Sequence, residues 1–163
     1  MTRDPISEAH RQWVAHGWPE AADGMAMVTS VVRAQQLLME RIDGVLRPRG
    51  LTFARYEVLR LLSFARDGAL PMSRLGSLLQ VHPTSVTSAV DRLVAQGYVE
   101  RVRGDADRRV VRAVLTGAGR EAVEEATAAL NREVFEAPGL PEGDVRELTD
   151  RLTALRAGLG DGL

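Results

Sequence analysis

The chain has no cysteine and no lysine among its 163 residues, and only 4% of them are aromatic. The absence of cysteine excludes disulfides, thiolate metal sites and a thiol-based redox switch. The absence of lysine leaves arginine as the only strongly basic side chain. A guanidinium meets a phosphate or a guanine edge with two hydrogen bonds at once. It also disqualifies Gly117-Ala118-Gly119 as a phosphate-binding loop, which needs a lysine after its glycines. No apolar run approaches the ~18–20 residues that span a bilayer. The opening, M-T-R-D-P-I-S-E, is polar and has no apolar signal core. The chain therefore reads as soluble and cytoplasmic, with no membrane partner. His10, His16 and His82 do not share a face at metal-ligand spacing, so no metal is expected. No Ser/His/Asp or Cys/His set follows a strand-turn-helix pattern. An enzyme is not expected, and neither is a cofactor.

What is present amounts to one domain-sized unit, long enough to bury roughly 68–70% of its unfolded surface without staples. The net charge of −1 does not by itself suggest a nucleic-acid partner. Its distribution says more. Between Asp91 and Arg112, six arginines (Arg92, Arg101, Arg103, Arg108, Arg109, Arg112) stand against four acids (Asp91, Glu100, Asp105, Asp107), a local balance of +2. The stretch 121–150 is acidic.

Periodicity and punctuation place the elements. A short helix is expected around 7–16. Gly24 then opens a long helical pattern, 25–47, with Val28, Val31, Gln35, Leu38, Ile42 and Val45 at steps of three and four. Pro48-Arg49-Gly50 stops it. Thr52 is a candidate N-cap for a helix over 53–65, with Tyr56, Leu59 and Leu62/Ser63 on one side and Val58 and Leu61 widening the stripe. Arg66-Asp67-Gly68 is a turn, and Leu70 a short strand. Leu75, Leu78 and Leu79 form the inner side of a helix over 72–79. Pro83 suits the first position of the next helix, and Gly97 its left-handed stop. Residues 98–103 and 110–115 alternate as a hairpin around a charged loop. Thr116 caps a helix to about Glu136, and 142–159 is a last helix. There Val145, Leu148, Leu152, Leu155 and Leu159 form a stripe narrow enough to want a partner helix. The fold class is mainly α with a small β-hairpin.

The segment 83–119 carries the function. Val86, Val90, Leu93 and Val94 give its helix an apolar side. Thr84, Ser85, Thr87, Ser88, Asp91 and Arg92 occupy the other. A helix entering a major groove must be slim and offer hydrogen-bonding groups near its N-terminus, where its dipole also favours phosphate. The hairpin that follows carries Asp107, Arg108 and Arg109 in its loop. One arginine can enter a narrow minor groove, where negative potential is high, while the other meets phosphate or pairs with Asp107. Polar helix followed by arginine-tipped hairpin is the order of parts in a winged helix-turn-helix. A winged helix used for protein contacts alone is the alternative, and it would show an apolar or acidic face here.

The stretches D-R-L-V-A-Q-G-Y-V-E-R (91–101), D-A-D-R-R (105–109) and V-L-T-G-A-G (114–119), with L-T-F-A-R-Y-E-V-L (51–59), resemble the MarR family of bacterial transcriptional regulators. The resemblance covers about 24–159. It implies a homodimer on a palindromic double-stranded operator, probed by two winged-helix lobes about 34–36 Å apart. It implies that Pro83, Thr84, Ser85, Thr87 and Ser88 face bases or phosphates with Arg92 nearby. Arg108 or Arg109 would enter the minor groove, and Asp107 would hold the wing. Residues 51–116 would form the DNA-binding region. Residues 24–50 and 117–163 would form the dimerisation region, joined by the leader 1–23. Function would be that of a repressor released by a small-molecule effector. Relatives that answer to urate-like purines carry a leader tryptophan, an acid on the second helix and an arginine on the recognition helix. Trp13, Trp18 and Glu57 suit the first two features, but Ala89 stands where the arginine belongs, so that ligand is set aside. His82 before Pro83 also departs from the usual polar entry and reads as a turn or capping residue.

Overall fold

The computed structural model describes residues 4–79, 83–104 and 108–162, with Pro83 described by its backbone alone. The chain divides into two compact units, one ending at Gly44 and one beginning at Val45.

In the first unit, helix α1 (Pro5–Ala15) opens with proline at its first position and Asp4 as its cap. The Ser7 amide donates to Asp4 Oδ2 at 3.0 Å. Gly17 takes the left-handed conformation, φ +90°, that lets the chain reverse into α2 (Pro19–Leu46). The two helices touch through side chains near the turn. Trp13 meets Trp18 edge-on at 5.7 Å between centroids, and His10 Nε2 lies 2.8 Å from Asp23 Oδ1. Gly24 does not open α2; the helix starts at Pro19 and runs through it. A mid-helix glycine costs only about 0.5–1 kcal/mol, too little to interrupt so long a helix. Of its apolar stripe, Ile42 and Val45 are buried, whereas Val28, Val31 and Leu38 are exposed.

The second unit is built around a three-stranded antiparallel sheet. A left-handed Gly50 ends the turn after α2, and Thr52 caps α3 (Phe53–Phe64) by accepting from the Arg55 amide at 3.3 Å. Tyr56, Val58, Leu59 and Leu62 are buried. After the turn at Gly68 come β1 (Ala69–Pro71), α4 (Met72–Leu79) and α5 (Pro83–Ala95). Strands β2 (Val99–Arg103) and β3 (Val111–Leu115) form the hairpin, whose neck closes with the Gly104 amide on the Val110 carbonyl at 2.9 Å. β1 does not stand alone: it pairs with β3, Ala69 opposite Val114, giving the order β1-β3-β2. This ties the hairpin to the helical core. α6 (Gly117–Leu130) runs into a π-helical turn (Asn131–Phe135), and α7 (Glu142–Gly158) follows.

Two expected core positions are exposed. Leu78 is 46% accessible, because in the eight-residue α4 the single inner position is taken by Leu75. Val94 is 39% accessible; the buried line of α5 runs Val86, Ala89, Val90, Leu93, and Val94 falls past its edge. α7 has no buried residue at all.

The tightest approach in the unit is at Gly119, in the first turn of α6. A Cβ there would stand 2.1 Å from the Tyr98 carbonyl oxygen, inside any permissible contact with backbone. Gly119→Ala is expected to lower unfolding free energy by about 2–4 kcal/mol, as forced overpacking does. Gly143→Ala, in α7 with nothing within 4 Å, is expected to be neutral or stabilising by about 0.5–1 kcal/mol. Urea unfolding of the two variants checks both.

Candidate nucleic-acid interface

The sequence of α5 sorts its two sides. Val86, Ala89, Val90 and Leu93 are buried, while Thr84, Ser85, Thr87, Ser88, Asp91 and Arg92 are exposed. Four short hydroxyl side chains thus stand on the open side of the N-terminal half, with Arg92 toward its end. Pro83 is the first residue of the helix, in the place where a missing amide hydrogen costs nothing. His82 lies outside the described residues, as does Asp107, so neither of their expected roles meets any geometry here.

Arg108 and Arg109 both lie in the β2–β3 turn and both are exposed. The structure brings Arg109 to α5: it lines a cleft of about 510 Å³ together with Thr87, Arg101 and Ser73. Arg108 does not line it. A second cleft, about 450 Å³, is formed by Thr84, Ser85, Ser88 and Arg92 of α5 against Thr52, Ala54 and Arg55 at the start of α3. Hydroxyls and guanidinium groups converge there without a carboxylate. Arg55, Arg101 and Ser73 were not among the expected site residues. Arg55 and Arg101 are held there by contacts with other elements, Gln96 and Asp91 respectively, which periodicity does not encode.

Asp91 is explained by the same geometry. Its Oδ1 lies 2.7 Å from Arg101 Nη1. The pair joins the exposed side of α5 to β2, offsetting a negative charge that would otherwise face the same way as the hydroxyls. Both side chains are substantially exposed, so the pair itself contributes little stability, about 0–1 kcal/mol.

A separate cleft of about 450 Å³ lies away from this surface, lined by Phe53, Tyr56, Glu57 and Arg60 of α3, Leu78 of α4, Phe135 and Arg156. The Phe53 and Tyr56 rings stack at 6.2 Å. Tyr56 Oη lies 3.1 Å from Thr127 Oγ1, and Arg60 reaches Glu124 at 3.0 Å. Burial pushes the Glu57 carboxyl above the ordinary glutamate range.

Helices α3, α4 and α5 followed by a sheet-anchored wing define a winged helix-turn-helix. The sequence profile of the MarR family matches residues 49–110. Among solved structures, the chain is similar to Sco5413, a MarR family transcriptional regulator from Streptomyces coelicolor. Identity is 44%, TM-score 0.77, with 86% of this chain and 97% of that one covered. Sco3205, a MarR family regulator from the same organism solved in complex with DNA, has the same fold: TM-score 0.75, 24% identity, 86% and 90% coverage. The uncharacterized HTH-type transcriptional regulator YhbI of Bacillus subtilis (strain 168) is 34% identical over 85 residues, 52% of this chain and 54% of YhbI. The chain spans about half the length of the curated relatives it matches. It belongs to the MarR family of transcriptional regulators.

The raised Glu57 has a consequence for stability. Its folded form holds a proton more tightly than its unfolded form does, so burial costs nothing at low pH. The cost grows as pH rises from the ordinary value of 4.5 through the folded-state value. Glu57→Gln is expected to raise Tm at neutral pH and to leave it nearly unchanged near pH 4.5; thermal melts at the two pH values check this.

Proposed function

We propose that the chain is a homodimeric repressor that binds a palindromic operator and is released by a small molecule. The observation that carries this reading is the exposed Thr84-Ser85-Thr87-Ser88 side of α5 standing beside the Arg109 wing, with Arg92 between the α3 and α5 surfaces. Hydroxyls suit base edges and phosphates in a major groove. A guanidinium on a projecting turn suits the minor groove or its phosphates. Pro83 would start the helix against the DNA backbone, and Arg108 would take phosphate, with Asp107 steadying the wing. An apolar or acidic α5 side, as a protein-only module needs, is not what the chain presents. That Sco3205, of the same fold, is solved with DNA supports the reading.

Residues 51–116 then serve as the DNA-binding region, with 1–23, 24–50 and 117–163 serving dimerisation. The apolar residues that the single chain leaves exposed support this. Val28, Val31, Val32, Leu37 and Leu38 on α2 lie uncovered, as does Leu148 on α7, whose residues are all at least partly accessible. The cleft lined by Phe53, Tyr56, Glu57 and Arg60 is the effector site in this reading, since it sets aromatic and leucine side chains beside one carboxyl and two guanidinium groups. An effector that binds better to a dimer with mismatched half-site spacing would lower operator affinity by the ratio of its two affinities.

The direct test is enrichment of a duplex from a random-sequence pool, followed by fluorescence titration against the enriched and a scrambled duplex. Sedimentation of the free protein reports its assembly. A dimer with strong preference for the enriched duplex is expected; a monomer, or equal binding to both duplexes, would refute the proposal. Arg108→Ala and Arg109→Ala are each expected to weaken binding. Each should reduce the slope of log K against log salt by about 1 where the side chain contacts phosphate. Titrations at three salt concentrations check this.

A further inference from the structure

The lower end of α5 is held by a closed set of hydrogen bonds that no recognition role accounts for. Gln96 follows the last residue of the helix, and its amide still donates to the Arg92 carbonyl at 3.0 Å. Its side chain uses both ends of the carboxamide. Nε2 donates to the Gly50 carbonyl at 2.7 Å, and Oε1 accepts from Arg55 Nη1 at 3.2 Å. Arg55 Nη1 also donates to the Gly50 carbonyl, at 3.2 Å, which closes the ring of three residues. Arg55 is itself held by its Nε on Thr52 Oγ1 at 3.2 Å. Gly50 is left-handed, and a Cβ there would come within 3.3 Å of Gln96 Nε2, so the approach depends on glycine.

This end of α5 is the pivot of a lever. The helix has 13 residues, which at about 1.5 Å per residue makes it roughly 20 Å long. A tilt of about 10° at the foot therefore moves the first-turn hydroxyls by roughly 3 Å, far beyond the few tenths of an ångström a hydrogen bond tolerates. Non-specific attraction of arginine to the phosphate backbone survives such a displacement, whereas hydrogen bonds to base edges do not.

We infer that Gln96 is a positioning residue for sequence discrimination. By bonding Gly50 and Arg55 at once it fixes the tilt of α5, and it does so without touching DNA. The inference rests on the DNA-binding reading above. Its signature is a loss of preference rather than a general loss of affinity.

The test uses the 163-residue chain, the duplex enriched by the wild-type chain from a random-sequence pool, and a scrambled duplex of equal length. Gln96→Met keeps the size of the side chain and removes both bonds. It is expected to weaken binding to the enriched duplex about tenfold, leaving the scrambled duplex within twofold and the salt slope unchanged. Gln96→Glu keeps the acceptor for Arg55 and loses the donor to Gly50; a loss in the same direction is expected, so the test does not depend on one variant folding. Val123→Ala, a truncation in the buried side of α6, is the stability control and is expected to keep the wild-type preference. Gln96 variants that bind both duplexes as wild type does, or that lose both in equal proportion, overturn the inference. Failure of the wild-type chain to enrich any duplex strikes the DNA-binding reading itself and takes this inference with it.

Discussion

Three of the hydrogen bonds of Thr116 run in three directions, and the geometry of the second unit follows from them. Its hydroxyl accepts from the Gly119 amide at 3.0 Å, which starts α6, and donates to the Gly97 carbonyl at 2.7 Å, which lies just past α5. Its amide donates to the Tyr98 carbonyl at 3.1 Å, at the start of β2. Helix α5, both hairpin strands and α6 therefore meet at one small residue. Gly119 lets α6 lie directly against the Tyr98 carbonyl, where no other residue fits. Without this joint the wing would hang from its own ladder of five residue pairs. With it, and with β1 paired to β3 on the far side, the wing arginines project from a fixed base.

That rigidity bears on how a chain with net charge −1 presents itself to a polyanion. Long-range attraction is not available, because charges farther apart than about 8–10 Å are screened at physiological salt. In the proposed DNA-binding reading, binding would come from local charge held at the correct place. The Asp91–Arg101 pair serves that end. It removes a carboxylate from the field in front of the hydroxyls while joining α5 to β2. The acidic residues of α6 are handled differently: Glu124 pairs with Arg60 of α3 at 3.0 Å, inside the same unit.

The punctuation of the fold was legible in the sequence because it is local. Thr52 and Thr116 as caps, Pro83 as a first helical residue and Gly97 as a left-handed stop each depend on bonds to neighbours within four positions. The alternation of β2 and β3 has the same local origin. What escaped the sequence was set elsewhere in the chain. Gly24 reads locally as an opening, yet α2 passes through it. Leu78 and Val94 read as core by spacing, yet the widths of the surfaces they meet leave them out. Among site residues, the hydroxyls of α5 and the wing arginines are visible in the sequence as types at a spacing. Arg55 and Arg101 are not, since what brings them to the surface is a contact across 41 residues in one case and ten in the other.

The distribution of apolar surface has a consistent physical sense. The second unit closes its own core, with Leu46, Leu51, Leu59, Leu62, Leu75, Leu93 and Leu130 fully buried. α7 is different. Its stripe of Val145, Leu148, Leu152, Leu155 and Leu159 is nowhere buried, and Leu159 is 78% accessible. An isolated helix of 17 residues is marginal in water, because nucleation is costly and propagation gains little. Fully burying a leucine side chain contributes about 1.5–3 kcal/mol. Covering even three of these residues is therefore comparable with the whole stability of a small domain, about 5–15 kcal/mol. A helix of this composition is stable only where a second apolar surface meets it. The charged residues between the leucines, Glu147, Asp150, Arg151 and Arg156, restrict that surface to the width of the stripe. In the proposed homodimer a second copy would offer such a width, because each stripe would meet its own equal.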